Sequence, residues 1–344
     1  MIPKASAIGQ PSPWILPAAV TLVLISFLCA VFMGIVDIPS RDVLSALTGN
    51  GSQEARSIIL DIRLPRIVTG ILAGVQFALA GLLLQTITRN PLADPSLMGV
   101  SQGATLTVTM FLLFTVYLVN PDSYSVNELP IAWLPAAGMV GGMIAGGIIY
   151  LLAFRLELSP LRITLCGIAV GAVMHAVAIG LIAGWGSARI EIILEWMSGS
   201  LYARTWNHAF FLLPFTVAGL AVLPLIYRPL VLLRFDATVA RSFGLSYRWQ
   251  FSLVLLVSCA LAASAVGAVG PIVFVGLVVP HLARFLAGRH FPLVLPLTVV
   301  LGAIIVTLGD LIGRLAGGAE EVPIGVVTAL MGVPVLLALL RKVP

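Results

Sequence analysis

Residues 249–283 read WQFSLVLLVSCALAASAVGAVGPIVFVGLVVPHLA, a run that carries no charge unless His281 is protonated. A helix rises ~1.5 Å per residue, so ~20 residues cross the ~30 Å hydrocarbon core of a bilayer. The run is too long for one crossing, and Gly267, Gly270 and Pro271 stand near its middle, where a helix breaks. Divided there, it supplies two spans. Charge-free stretches elsewhere supply the rest, giving ten: about 14–36, 67–88, 97–118, 132–153, 163–184, 207–227, 250–268, 271–286, 293–314 and 323–341.

The distribution of basic residues tests the division, because loops on the cytoplasmic side of a membrane collect Lys and Arg. With ten spans, twelve of the 19 basic residues fall on one side and seven on the other. With nine spans everything after residue 283 changes sides, the tally becomes nine against ten, and the bias vanishes. Ten spans with both termini cytoplasmic is therefore the reading. The outer loops then hold eleven of the fourteen acidic residues, counting Asp310. A face so charged suits a charged soluble partner.

Composition bounds the function. Apolar residues make up 60% of the 344, charged residues 10%, and the mean hydropathy is +1.10. That profile belongs to an all-α polytopic membrane protein and not to a soluble domain. The chain reads as one transmembrane domain, 1–344, behind a short cytoplasmic N-terminus, 1–13. Residues 14–36 are too long for a signal-peptide core and are the first span. The net charge of +5 reports topology; it implies lipid around the chain and no nucleic acid. Cys29, Cys166 and Cys259 all fall inside expected spans, and neither they nor the four histidines are spaced as metal ligands.

Helices in lipid need small residues for close approach. Gly70, Gly74 and Gly81 lie within ~40° of one another on the second span, and Gln85 is ~20° further round, pointing into protein. Gly138, Gly141, Gly142, Gly146 and Gly147 form a packing seam on the fourth. On the fifth, Thr164, Gly167, Gly171 and His175 share an arc of ~80°. Two readings stay open for that face: a seam, or the wall of a translocation path. His175 is the one ionisable side chain deep in an expected span, and no Asp or Glu accompanies it. Ion-coupled carriers usually place a carboxylate near the midplane, which argues against one here. The two lysines, Lys4 and Lys342, stand at the chain ends, so no phosphate-binding loop exists. If ATP drives transport, a separate subunit hydrolyses it and docks on the cytoplasmic side. Residues 228–248 are the candidate surface, long enough for two short helices and mixing four arginines with Leu230, Val231, Leu232, Leu233, Phe235 and Phe243. No catalytic Ser/His, paired-Asp or metal-hydrolase spacing occurs within the spans, so no enzyme is expected.

Six segments, in order, resemble the FecCD family, the permease subunits of binding-protein-dependent ABC importers for iron–siderophore complexes, haem and cobalamin. They are Arg63-Leu-Pro-Arg66, Arg89-Asn-Pro-Leu-Ala-Asp-Pro95, Trp196-Met-Ser-Gly-Ser200, Ala240-Arg-Ser-Phe-Gly244, Gly270-Pro-Ile-Val-Phe-Val-Gly-Leu-Val-Val-Pro-His-Leu-Ala-Arg284 and Glu321-Val-Pro-Ile-Gly-Val326. Together they span nearly the whole chain. The resemblance implies the type II ABC importer architecture: ten helices per subunit, two permease subunits around a central path, and two cytoplasmic ATPase subunits that bind ATP and Mg. This chain itself needs no cofactor. A periplasmic binding protein delivers the cargo, a ferric siderophore before haem or cobalamin, across the bacterial inner membrane.

The resemblance also assigns residues. Arg63, Arg66 and Arg314 would receive acidic residues of the binding protein; the alternative is pairing within the chain, with neighbours such as Asp61 or Asp310. Asn90 and Leu92 would close the cytoplasmic end of the path with Ser159 and Pro160, or simply form turns. Pro160 replaces the hydroxyl residue expected there. Asp236, Ala240, Arg241, Ser242 and Gly244 would contact the ATPase, although Asp236-Ala-Thr238 stands where family members commonly carry Gly-Glu-Glu. That departure suggests one half of a heterodimer. An ion-coupled secondary transporter is the rival reading; a passive channel is a second.

Overall fold

A computed structural model describes residues 12–96, 98–115, 131–155, 159–185, 194, 196–288, 290–317 and 321–340. Their regular structure is helical throughout: α1 (Ile15–Phe32), α2 (Ser40–Leu47), α3 (Gln53–Arg56), α4 (Leu64–Thr88), α5 (Val100–Leu113), α6 (Leu134–Arg155), α7 (Pro160–Trp185), α8 (Trp206–Leu233), α9 (Ala237–Ser242), α10 (Tyr247–Val269), α11 (Val275–Ala287), α12 (Phe291–Gly317) and α13 (Ile324–Leu340). Seven helical runs are long and apolar enough to cross a membrane, while α5, α11 and α13 are shorter apolar helices. Every expected span coincides with one of these. Among the described residues, seven of the ten expected spans fall on the long runs and three on the shorter helices.

The axis of the fold is α4. It is buried along nearly its whole length and packs against α8, α10, α11 and α12. Its glycine face permits backbone contact: a Cβ on Gly74 would lie 2.3 Å from the Gly302 carbonyl oxygen, and one on Gly81 only 1.8 Å from that of Gly276. Its polar residues are satisfied inside the bundle. Gln76 Nε2 donates to the Leu212 carbonyl (2.9 Å) and Thr216 Oγ1 (2.8 Å), and Gln76 Oε1 accepts from Ser264 Oγ (2.9 Å). Gln85 points into protein, as its helical angle implies, with Oε1 accepting from Arg284 Nη1 at 2.7 Å.

The segment 249–283 does turn back on itself. Helix α10 ends at Val269, and Gly270 takes φ +76°. The Val269 carbonyl accepts from Ser200 N, next to Leu201, whose side chain covers Gly70. Six residues after Gly270, Gly276 already faces Gly81, ~16 Å further along α4. Non-helical residues reach up to ~3.4 Å each, so strip 270–274 covers depth that a helix of equal length could not. That is why α11 can be short, beginning at Val275 and not at 271. Arg284, near its far end, then meets Gln85 in the last turn of α4.

Three other expectations need correction. The second span does not begin near 67. Helix continues from Gln53 through a π-helical turn, Ser57–Arg63, into α4. The wider turn bonds Leu64 N to Ile59 O and so admits the proline ring inside a continuous helix. The sixth span runs to Leu233 instead of 227, burying Leu230 and Leu233. Residues 228–248 consequently hold one short helix, α9, besides helix ends. Finally, α5 occupies 100–113 of the expected 97–118; residues 116–118 lie outside the described residues, as do Lys4, Arg341 and Lys342 near the termini.

Candidate functional site

Arginines organise both ends of α4. At its N-terminal end Arg66 holds two carboxylates from distant segments. Its Nε lies 3.0 and 3.1 Å from the two oxygens of Asp310, and Nη2 lies 2.7 Å from Asp310 Oδ1. Nη1 and Nη2 donate to Glu321 Oε1 (2.9 Å) and Oε2 (2.6 Å). Arg314 Nε approaches Asp310 Oδ2 at 3.0 Å from one helical turn away. Arg66, Asp310 and Arg314 are buried. This neutral four-charge cluster ties the start of α4 to the end of α12 and the entry to α13, and borders a cavity of about 230 Å³ shared with Ser200 and Tyr202. Arg63, also buried, donates to the carbonyls of Val31 (2.8 Å), Phe32 (3.4 Å) and Val36, closing the C-terminal end of α1.

Within the subunit, then, Arg66 makes the Asp310 pairing that the sequence left as an alternative, and Arg63 binds carbonyls and not Asp61. Among the described residues, the exposed arginines at this end are Arg41 in α2 and Arg56 in α3.

The C-terminal end of α4 is built differently. Arg89 caps the helix in the left-handed region, φ +49°. Its side chain reaches the segment between α8 and α10: Nη1 pairs with Asp236, Nη2 donates to Tyr247 Oη (3.2 Å) and Nε to the Leu233 carbonyl (3.3 Å). Asp236 stands at the N-terminus of α9 but caps it with backbone only, its carboxylate being turned to Arg89. Beyond it, Ala240 is buried, Arg241 and Ser242 are exposed, and Gly244 (φ +78°) closes α9. Its amide donates to Arg241 O, and the Leu245 amide to Ala240 O. Phe235, Val239 and Phe243, four residues apart, are 53%, 40% and 65% exposed and form an apolar stripe over the basic surface.

Immediately after Arg89 the chain makes a tight turn in which Asn90 Oδ1 accepts from Leu92 N at 3.0 Å, leaving Leu92 exposed. Asp94 then folds inward. Its Oδ1 accepts from Ser96 N (2.7 Å) and Ser96 Oγ. Burial pushes its carboxyl above the ordinary carboxylate range, opposed by the hydrogen bonds from Ser96. Asp94 and Pro95 pack against Gly276 at the start of α11. Ser159 and Pro160 open α7 as N-cap and first residue, Ser159 Oγ accepting weakly from Arg162 N (3.4 Å).

On α7, Gly167 and Gly171 are buried against the backbone of Met98 and Gly99. Thr164 Oγ1 returns to the Pro160 carbonyl (3.0 Å), and His175 is exposed on the subunit surface. Most of α7 is exposed. Sequence reasoning missed Gln76, Arg89 as a linker, Glu321 as a partner of Arg66, and the burial of Asp94. The signals available were a glutamine in the middle of a charge-free run and two charges inside one seven-residue motif.

Residues 22–342 match the FecCD transport family. The chain belongs to that family. Among relatives, the ferric enterobactin transport permease FepD of Escherichia coli (strain K12) is 34% identical over 335 residues, covering 95% of this chain and 94% of FepD. The iron(3+)-hydroxamate import permease FhuG of Bacillus subtilis (strain 168) is 28% identical over 321 residues, covering 93% and 94%. Among solved structures, an inward-facing metal-chelate type ABC transporter superposes with TM-score 0.82 at 27% identity, covering 96% of this chain and all of that one. This FecCD chain is therefore a multi-pass transport permease subunit, and the ion-coupled alternative has no support.

Proposed function

We propose that this FecCD chain is the inner-membrane permease of an ABC importer for ferric siderophores, with haem and cobalamin ranked behind them. The observation that carries the cargo is end-to-end similarity to permeases named for ferric enterobactin and iron(3+)-hydroxamate. Both termini are cytoplasmic. Two permease subunits, this one and a copy or a homologue, enclose the path, and two ATPase subunits holding ATP and Mg dock on the α9 stripe. The much-exposed α7, with Thr164 and His175, suits the inter-subunit path.

In this reading the binding protein docks at the N-terminal end of α4. Arg41 and Arg56 present exposed charge there, while Arg63, Arg66 and Arg314 hold the floor beneath. On the opposite side, closure of the ATPase subunits moves α9. Asp236 transmits that motion to Arg89, and Arg89 to the Asn90–Leu92 turn that closes the path with Ser159 and Pro160. The rigid Asp94 contact carries it on to α11.

Uptake of iron-labelled enterobactin, hydroxamate siderophores, haem and cobalamin by a deletion strain, with and without this chain, tests the proposal. Siderophore uptake restored by the chain and abolished by ATP depletion is the expected result. Uptake that survives ATP depletion but stops when the ion gradient collapses would return the ion-coupled carrier.

A further inference from the structure

The crevice between α6 and α10 combines two surfaces that meet at Arg248. Along α10, Arg248, Ser252, Leu255 and Cys259 recur every three or four residues and so share one face. Opposite, α6 presents Met143, Gly147, Tyr150 and Phe154. A groove of about 250 Å³ runs between them, lined by Met143, Gly147, Tyr150, Trp249, Leu256 and Cys259 among others, and nearly all apolar. Its polar exception, Ser252, donates to Tyr150 Oη at 3.0 Å. A Cβ on Gly147 would meet nothing within 4 Å, so the glycine leaves the groove open. Trp249 is 68% exposed at the groove's mouth. From Trp249 to Cys259 the groove descends ~15 Å, half the hydrocarbon thickness and the depth of one leaflet.

Arg248, next to Trp249 in the chain, lines another cavity. Its guanidinium lies 5.7 Å from the Phe154 ring centre, at the edge of α6. The second cavity, about 590 Å³, is lined among the described residues by Ser159, Leu161, Arg162, Ala237, Arg241, Tyr247 and Arg248, three of them arginines. Arg241 and Arg248 are exposed. An apolar slot one leaflet deep, headed by clustered guanidinium groups, complements a molecule with a long acyl chain and an anionic phosphate.

We propose that this crevice binds one acidic phospholipid of the cytoplasmic leaflet, an acyl chain lying between α6 and α10 and the phosphate held by Arg248 with its neighbours Arg162 and Arg241. Its acyl slot is separate from Thr164 and His175 of α7, while its head region takes Leu161 and Arg162 from the start of that helix. It sets lipid beside α9, where the ATPase subunits dock in the proposed function.

Native mass spectrometry of the complete transporter, exchanged into detergent with phosphatidylglycerol or phosphatidylcholine, tests the site. Two variants probe its halves: Gly147→Leu fills the slot from open space, and Arg248→Gln removes the head charge. Circular dichroism checks that both keep wild-type helix content. The wild type is expected to retain phosphatidylglycerol over phosphatidylcholine, and each variant to lose retention by about fivefold, the scale of one basic contact. Equal retention of the two lipids, or wild-type retention in either variant, overturns the proposal. Loss of ATPase subunits from Arg248→Gln without loss of phosphatidylglycerol makes the basic cavity a protein contact and likewise overturns it.

Discussion

Arg66 and Arg89 sit ~35 Å apart on one helical path and do opposite things with the same side chain. Arg66 is packed among Asp310, Glu321 and Arg314, and the Asp310 side chain is 5% exposed. Arg89 reaches across to Asp236, whose side chain is 79% exposed. Guanidinium–carboxylate attraction is the same in both; the surroundings differ. A buried cluster cannot lose one member without stranding an uncompensated charge, whereas water replaces either partner of an exposed pair. One end of α4 is thereby fastened in a buried cluster, and the other is joined to the segment before α9 by an exposed pair.

The largest effect is expected at the fastened end. Arg66→Ala leaves Asp310 and Glu321 without their main partner and should cost about 3–5 kcal/mol, read as a lower unfolding temperature of the purified subunit. Replacing Arg66, Asp310, Arg314 and Glu321 together by apolar residues of similar size should recover part of that loss; no recovery means the loss is not one of stranded charge. Next comes Arg63→Ala, which uncovers the carbonyls of Val31, Phe32 and Val36. A loss of about 1–3 kcal/mol is expected in the same assay.

Smaller effects on stability should separate from effects on function. Arg89→Ala is expected to cost under about 1 kcal/mol, because its carboxylate partner is solvated. Arg41→Glu and Arg56→Glu should change stability by no more than about 0.5 kcal/mol. If the binding protein docks as proposed, those two reversals weaken its affinity most at low salt. Unchanged affinity there would shift docking away from α2 and α3.

The bilayer makes some of this legible from sequence and hides the rest. Spans were readable because the hydrocarbon core dictates how long a charge-free run must be, and the turn at Gly270 because a glycine with φ +76° ends the helix there. The start of the second span was hidden, since nothing local announces a π turn before Pro65. The burial of Asp94 was hidden for a related reason: it stands in a connection, and connections are ordinarily wet. The arginine partners were beyond reach in another way. Arg66 and Asp310 are 244 positions apart, and either docking or internal pairing was chemically sensible until the helices were placed. On α7 the shared arc of Gly167 and Gly171 was real, but its immediate occupant is the Met98–Gly99 backbone.

The link through Arg89 is tested most directly by measuring cargo transported per ATP hydrolysed. The complete transporter would be reconstituted in vesicles as wild type, Arg89→Ala, Asp236→Ala and the double variant. Both single variants should lower the ratio, the double should lower it no further than either, and the exchange Arg89→Asp with Asp236→Arg should restore part of it. A wild-type ratio in Arg89→Ala, with hydrolysis intact, would contradict the coupling role.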